Sequence, residues 1–96
     1  MRLPAGIRFV EGKGKHKYTA ILPNGKKVSF GARGYQHYKD SVPKNKGGGI
    51  WSSENHLDES RRASYHARHG ALRCKNGVRC IEVEYSPAWF SYYFLW

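Results

Sequence analysis

The sequence predicts a small α+β domain: β-hairpins forming an antiparallel sheet, with a central short helix and an aromatic C-terminal helix packed on one face of it. Three observations predict it. Residues 17–22 and 26–30 alternate polar with apolar side chains on either side of Pro23-Asn24-Gly25, the pattern of a hairpin. Residues 56–69 carry acids near their start, bases near their end and Gly70 just beyond, the pattern of a helix. Residues 86–96 open on Ser-Pro and continue almost wholly in aromatic residues. A chain of 96 residues has room for one modest core, so residues 1–96 read as a single domain with little space for an enclosed substrate cavity.

In chain order, Ile7 to Val10 is a short strand candidate, followed by the Gly/Lys loop Glu11 to Lys15. In the first hairpin Tyr18, Ala20 and Leu22 share one face and Val28 and Phe30 join them, while proline and glycine set the turn. Gly31 and Gly34 bracket Arg33, and the spacing of Tyr35 and Tyr38 predicts two rings on one side of a helical turn. Residues 39–53 hold Pro43, Gly47, Gly48 and Gly49 around a lone Val42, which predicts a flexible Lys/Gly-rich loop docking at Ile50-Trp51. In the central helix Asn55 or Asp58 caps the start and Gly70 stands at the stop. Leu57, Arg61, Tyr65, Arg68 and Leu72 share one face, and Arg62, His66 and His69 a neighbouring one. Burying that first stripe requires the guanidinium groups to meet carboxylates, backbone carbonyls or a polyanion. Leu72 to Tyr85 reads as a second hairpin turning at Asn76-Gly77. Ser86 then caps a helix with Pro87 at its first position, and its rings must be buried, by the domain's own core in preference to a partner.

Lys and Arg number 17 against 7 Asp and Glu, a net charge of +10. The surplus lies in the first half: residues 1–49 hold 11 bases and 2 acids, residues 50–96 hold 6 and 5. A small domain so charged attracts polyanions, nucleic acid before acidic protein surfaces or membrane. Lys13, Lys15, Lys17, Lys26, Lys27 and Arg33, with Lys39, Lys44 and Lys46 in the loop, predict a phosphate-neutralising surface with Tyr18, Tyr35 and Tyr38 among them. Arg61, Arg62 and Arg68 extend that set along the central helix. The same charges also suit a merely solvated face.

Other chemistry is weaker. His66, His69, Cys74 and Cys80 form the series H-x2-H-x4-C-x5-C, but the cysteines straddle a turn and form no zinc knuckle, so no metal or cofactor is expected. The same two cysteines read as reduced thiols, not as a disulfide. His56 and Asp58, with Arg61 or Arg62 to steady a phosphorane, outline a nuclease; Asp58 is better explained as a helix cap, and an enzyme is disfavoured. Gly31-x-x-Gly34 lacks the Lys-Ser/Thr of a phosphate loop. No apolar run spans a membrane and no signal-peptide core is present, so an intracellular product, not secreted, is expected.

The spacing His56, Asp58, Arg61, Arg62, Tyr65, Arg68, His69, preceded by Phe30-Gly31-x-x-Gly34-Tyr35-x-x-Tyr38 and followed by an aromatic end at Trp96, resembles a small uncharacterised protein family in large DNA viruses of algae and protists. The resemblance covers residues 26 to 69 and the last ten; residues 39–53 stand as an insertion, and the two cysteines fall outside the family pattern. It implies a viral setting, in an infected host cell and in the virion, and no established activity. The expectation is therefore a non-enzymatic, basic, virus-type structural protein that binds polyanion, viral DNA without sequence specificity. The alternatives are a minor capsid or cement protein seated on acidic coat-protein surfaces and, third, a small nuclease.

Overall fold

The computed structural model describes residues 3, 5–74 and 77–96. Three strands, β1 (Arg8–Glu11), β2 (His16–Ile21) and β3 (Lys27–Ala32), form an antiparallel sheet in the order β1-β2-β3. Phe9 pairs with Ala20, Tyr18 with Phe30 and Ala20 with Val28, so the period of two gathers these side chains on one face. All are buried. At the β2–β3 turn Leu22 N donates to Lys26 O at 2.8 Å, and Gly25 takes the left-handed conformation.

Helix α2 (Pro87–Phe94) covers that face. Ser86 Oγ accepts from Trp89 N at 3.2 Å, and Pro87 opens the helix where its missing N–H costs nothing. Trp89, Phe90, Phe94 and Leu95 are buried. Phe90 stacks on Phe30 with centroids 5.1 Å apart and meets Phe9 edge-on at 5.8 Å. The fold is α+β as expected, and the aromatic helix closes the domain's own core.

Helix α1 (Glu59–Gly70) starts at Asp58, whose carboxylate accepts from Ser60 N at 2.9 Å and Arg61 N at 3.2 Å. It packs on α2 and on a 3-10 turn at Cys80–Glu82, in place of sharing the sheet face with α2. Gly70 is its last helical residue and not the left-handed stop; Ala71 ends the helix in the right-handed region. The chain enters α1 through Leu57, exposed and left-handed at φ 55°.

Three local expectations are corrected. Tyr35 and Tyr38 lie in an irregular segment tied by a parallel bridge between His37 and Asn55, not in a helical turn; His37 N donates to Glu54 O and His37 O accepts from His56 N, bonds a helix would forbid. Leu72 to Tyr85 is no two-stranded hairpin. Only Arg73 and Arg79 bridge, Ile81 turns inward in the 3-10 turn while Val83 stays exposed, and the turn residue Asn76 lies outside the described residues. The cysteines are not thiols but a disulfide, Cys74–Cys80, with Cα atoms 5.0 Å apart. They are diagonal across the Arg73–Arg79 bridge, and the turn beginning at Cys80 brings its sulfur back across.

Residues 39–53 are irregular, with 3-10 turns at Lys44–Lys46 and Ser52–Glu54. Gly47 and Gly48 lie so close to the carbonyls of Phe9 and Val42 that no Cβ fits. Docking runs through Trp51, whose Nε1 donates to Lys17 O at 2.7 Å, while Ile50 is exposed. No helix among the described residues is long and apolar enough to cross a membrane.

Candidate polyanion-binding cleft

The end of β3, the segment Tyr35 to His37 and the inner face of α1 enclose an open cleft of about 640 Å³. Its floor rests on Lys17. Alternation turns Lys17 away from Tyr18 and the core, yet it is 1% exposed, because Trp51 and the Tyr35–His37 segment cover it. Its Nζ donates to Tyr35 O at 2.6 Å and to His37 Nδ1 at 2.7 Å. His37 Nε2 reaches Asn55 Oδ1 at 2.7 Å, and the same oxygen accepts from Asp40 N at 2.8 Å. An oxygen that already accepts fixes the histidine proton on Nε2 and leaves Nδ1 free to receive the Lys17 ammonium. Burial holds Lys17 below the ordinary lysine value, with Glu54 and Asp40 pulling it back up. Burial, and then the Lys17 charge, hold His37 below the usual histidine range. A second buried group lies beside the first: Asp40 accepts from Tyr18 OH, from Trp51 N at 3.0 Å and from Val42 N at 3.1 Å. Burial and that carboxylate push the Tyr18 phenol far above its ordinary value.

The helical wall carries Arg61, Tyr65 and Arg68, three members of the predicted stripe; Leu57 and Leu72 fall outside α1 and are exposed. Arg61 reaches across the cleft mouth, donating to Gln36 Oε1 at 3.0 Å. Arg68 is exposed and makes no ion pair among the described residues. Tyr65 stacks between Trp96 (4.2 Å, 3°) and His69 (3.9 Å, 17°), and burial raises its phenol to about 12. Tyr35 stands on the opposite rim, 72% exposed.

The structure separates the residues expected to bind nucleic acid. Arg61, Arg68 and Tyr35 meet in the cleft, and Lys17 lies under it, buried instead of exposed to phosphate. Lys13 and Lys15 are exposed in the β1–β2 loop at the same end of the sheet, where Arg33 N donates to Lys15 O. Lys26 and Lys27 are exposed at the other end of β3, roughly 17 Å away by strand rise. Arg33 and Arg62 are internal ties. Arg33 pairs with Glu11 at 3.0 Å, donates to His16 O and Gly12 O, and lies over Trp51. Arg62 donates to Trp96 O at 2.9 Å and lies 4.7 Å over the Tyr38 ring, which takes Tyr38 out of the stacking set.

The zinc and nuclease sets do not assemble. Cys74 and Cys80 are bonded to each other, His66 stacks on Tyr92 at 4.4 Å and His69 on Tyr65. Asp58 caps α1, and His56 Nδ1 accepts from Asp58 N at 2.9 Å with its ring against Trp96. Sequence reasoning missed Gln36, His37, Asp40 and Asn55. The one legible hint was Asp40, a single acid in a run of lysines, since an isolated acid there has a specific partner more often than a solvated role.

Residues 11–46 match the model of a family described as "Family of unknown function (DUF5754)". No curated protein and no solved structure matches the chain. The matched segment contains Lys17, Tyr35, His37 and Asp40 and stops before α1, so the similarity to that family covers the floor and one rim of the cleft and not its helical wall.

Proposed function

We propose that the protein is a small, non-enzymatic polyanion-binding domain whose ligand is nucleic acid, held without sequence specificity in the cleft between α1 and the Tyr35–His37 segment. In the virus-type setting expected from the sequence, that ligand is viral DNA. One observation carries the reading: the described residues lining the cleft include the cations Lys17, Arg61 and Arg68 and no acid. Arg61 and Arg68 lie along one wall of a concave surface whose floor covers the buried Lys17 ammonium, which concentrates positive potential there, and guanidinium groups fork onto phosphate oxygens. The exposed lysines outside the cleft add a diffuse attraction that steers a polyanion toward it.

DNA retention across a salt series tests this. Binding should weaken steeply with salt, and Arg61→Glu or Arg68→Glu should each lower the slope by about one for every phosphate that the variant no longer neutralises. Lys26→Glu with Lys27→Glu, at the far end of β3, should have the smaller effect. No retention at low salt, or a larger effect at Lys26 and Lys27, overturns the assignment.

A further inference from the structure

We infer that the cleft takes one unpaired nucleic-acid strand, its phosphates on Arg61 and Arg68 and a base against Tyr35, in preference to a duplex; this rests on the polyanion reading above.

The cleft is narrow. A sphere of the cleft's volume, about 640 Å³, is about 11 Å across, whereas the major groove of a duplex alone is about 12 Å wide. A duplex does not enter such a cleft. Duplex readers instead insert a helix or a β-ribbon into the groove, and α1 turns Arg61 and Arg68 inward, toward Tyr35 and Gln36. Seven positions along α1 separate the two arginines by roughly 10 Å of helix rise, so they reach different phosphates of one backbone.

Tyr35 offers a ring to a base. Its carbonyl is fixed by Lys17 Nζ at 2.6 Å while its side chain is 72% exposed on the rim. The other aromatic side chains at the cleft, Tyr65 and Trp96, are stacked on each other. A large ring left on the rim, on a backbone held by a buried ammonium, is a free stacking face at the same cleft as the arginines. Every base offers a π-face to such a ring, so stacking adds affinity without reading sequence. Gln36, Ser60 and Ser64 line the same space and supply donors and acceptors to the sugar and base edges.

The test compares three probes on the full chain by fluorescence anisotropy: short oligo-dT, an abasic strand with the same phosphates, and a duplex of the same length. Inorganic polyphosphate serves as the competitor. Oligo-dT should bind about 5- to 150-fold tighter than the abasic strand, and tighter than the duplex. Tyr35→Ala should abolish that ratio with the abasic affinity unchanged, and Tyr35→Phe should restore it. Equal affinity for oligo-dT and the abasic strand, a Tyr35→Ala effect common to both, or a preference for duplex overturns the inference and leaves the polyanion reading standing. Failure of every probe and of polyphosphate to bind overturns both.

Discussion

Between the sheet and α2, the rings of Phe9, Tyr18, Phe30, Phe90 and Phe94 interlock edge-on and stacked, all within 8% exposure. Between α1 and the Tyr35–His37 segment, rings are as frequent, but they stack on histidine, lie under guanidinium or stand in water. The first arrangement removes apolar area from solvent and keeps no polar atom that needs a partner, apart from the Tyr18 hydroxyl, which has Asp40. The second leaves the buried ring nitrogens His56 Nε2, His66 Nε2 and His69 Nδ1 without a partner among the described residues and turns Arg61 and Arg68 toward an open space. Aromatic content alone therefore does not tell a stabilising layer from a binding one; what the rings face does.

The largest expected effect breaks the sealed side. Phe90→Ala removes a fully buried ring at a cost of about 3 to 5 kcal/mol, a large share of the roughly 5 to 10 kcal/mol available to a domain of this size. A urea melt of the variant should show a transition shifted far toward zero denaturant or abolished, and a near-native midpoint would mean that α2 does not close the core. Asp40→Ala should also destabilise, at about 1 to 3 kcal/mol for each donor it leaves without an acceptor, the Tyr18 hydroxyl, Trp51 N–H and Val42 N–H. An unchanged midpoint in Asp40→Ala would mean that those donors find other acceptors.

The smallest effect is that of pH. His37, His56 and His69 are each held below the ordinary histidine value of 6.5, burial being the leading cause in every case. Below that pH the unfolded chain binds more protons than the folded one. Their contribution to stability is complete above about pH 6.5 and fades progressively as pH falls below it. Denaturant midpoints should therefore be flat from pH 8 to 7 and decline between pH 6.5 and 5, ahead of any carboxylate titration. A midpoint unchanged down to pH 5 would show that none of these rings carries the burial assigned to it.

How far the sequence foretold this depends on whether the signal was local. The β2–β3 hairpin, the Asp58 cap and the Ser86-Pro87 helix start rest on neighbouring residues, and all three formed where expected. The stretch Leu72 to Tyr85 kept its alternation only on paper, because the pairing is confined to one bridge and the disulfide and inward Ile81 decide its path. In the cleft, Arg61, Tyr65 and Arg68 were legible as one helical face. Lys17 was not: nothing near it in sequence says that Trp51 and His37, 34 and 20 positions away, will cover it. Burial of a charged side chain by distant segments leaves no periodic trace.

Leu57 gives the cleft a property that its side chains do not. As a left-handed leucine immediately before the Asp58 cap, it holds a conformation costing about 1 to 2 kcal/mol for an L-residue, held in place by Leu57 N–H on Tyr38 O and by His56 N–H on His37 O. The direction in which α1 departs begins at that pair of dihedral angles and is kept by its packing on α2 and on the Cys80–Glu82 turn, so the gap between Arg61 and the Tyr35 rim is the opening of a caliper whose jaws are braced from behind. Rotamer changes alter what lines the jaws; the gauge itself is set by the backbone.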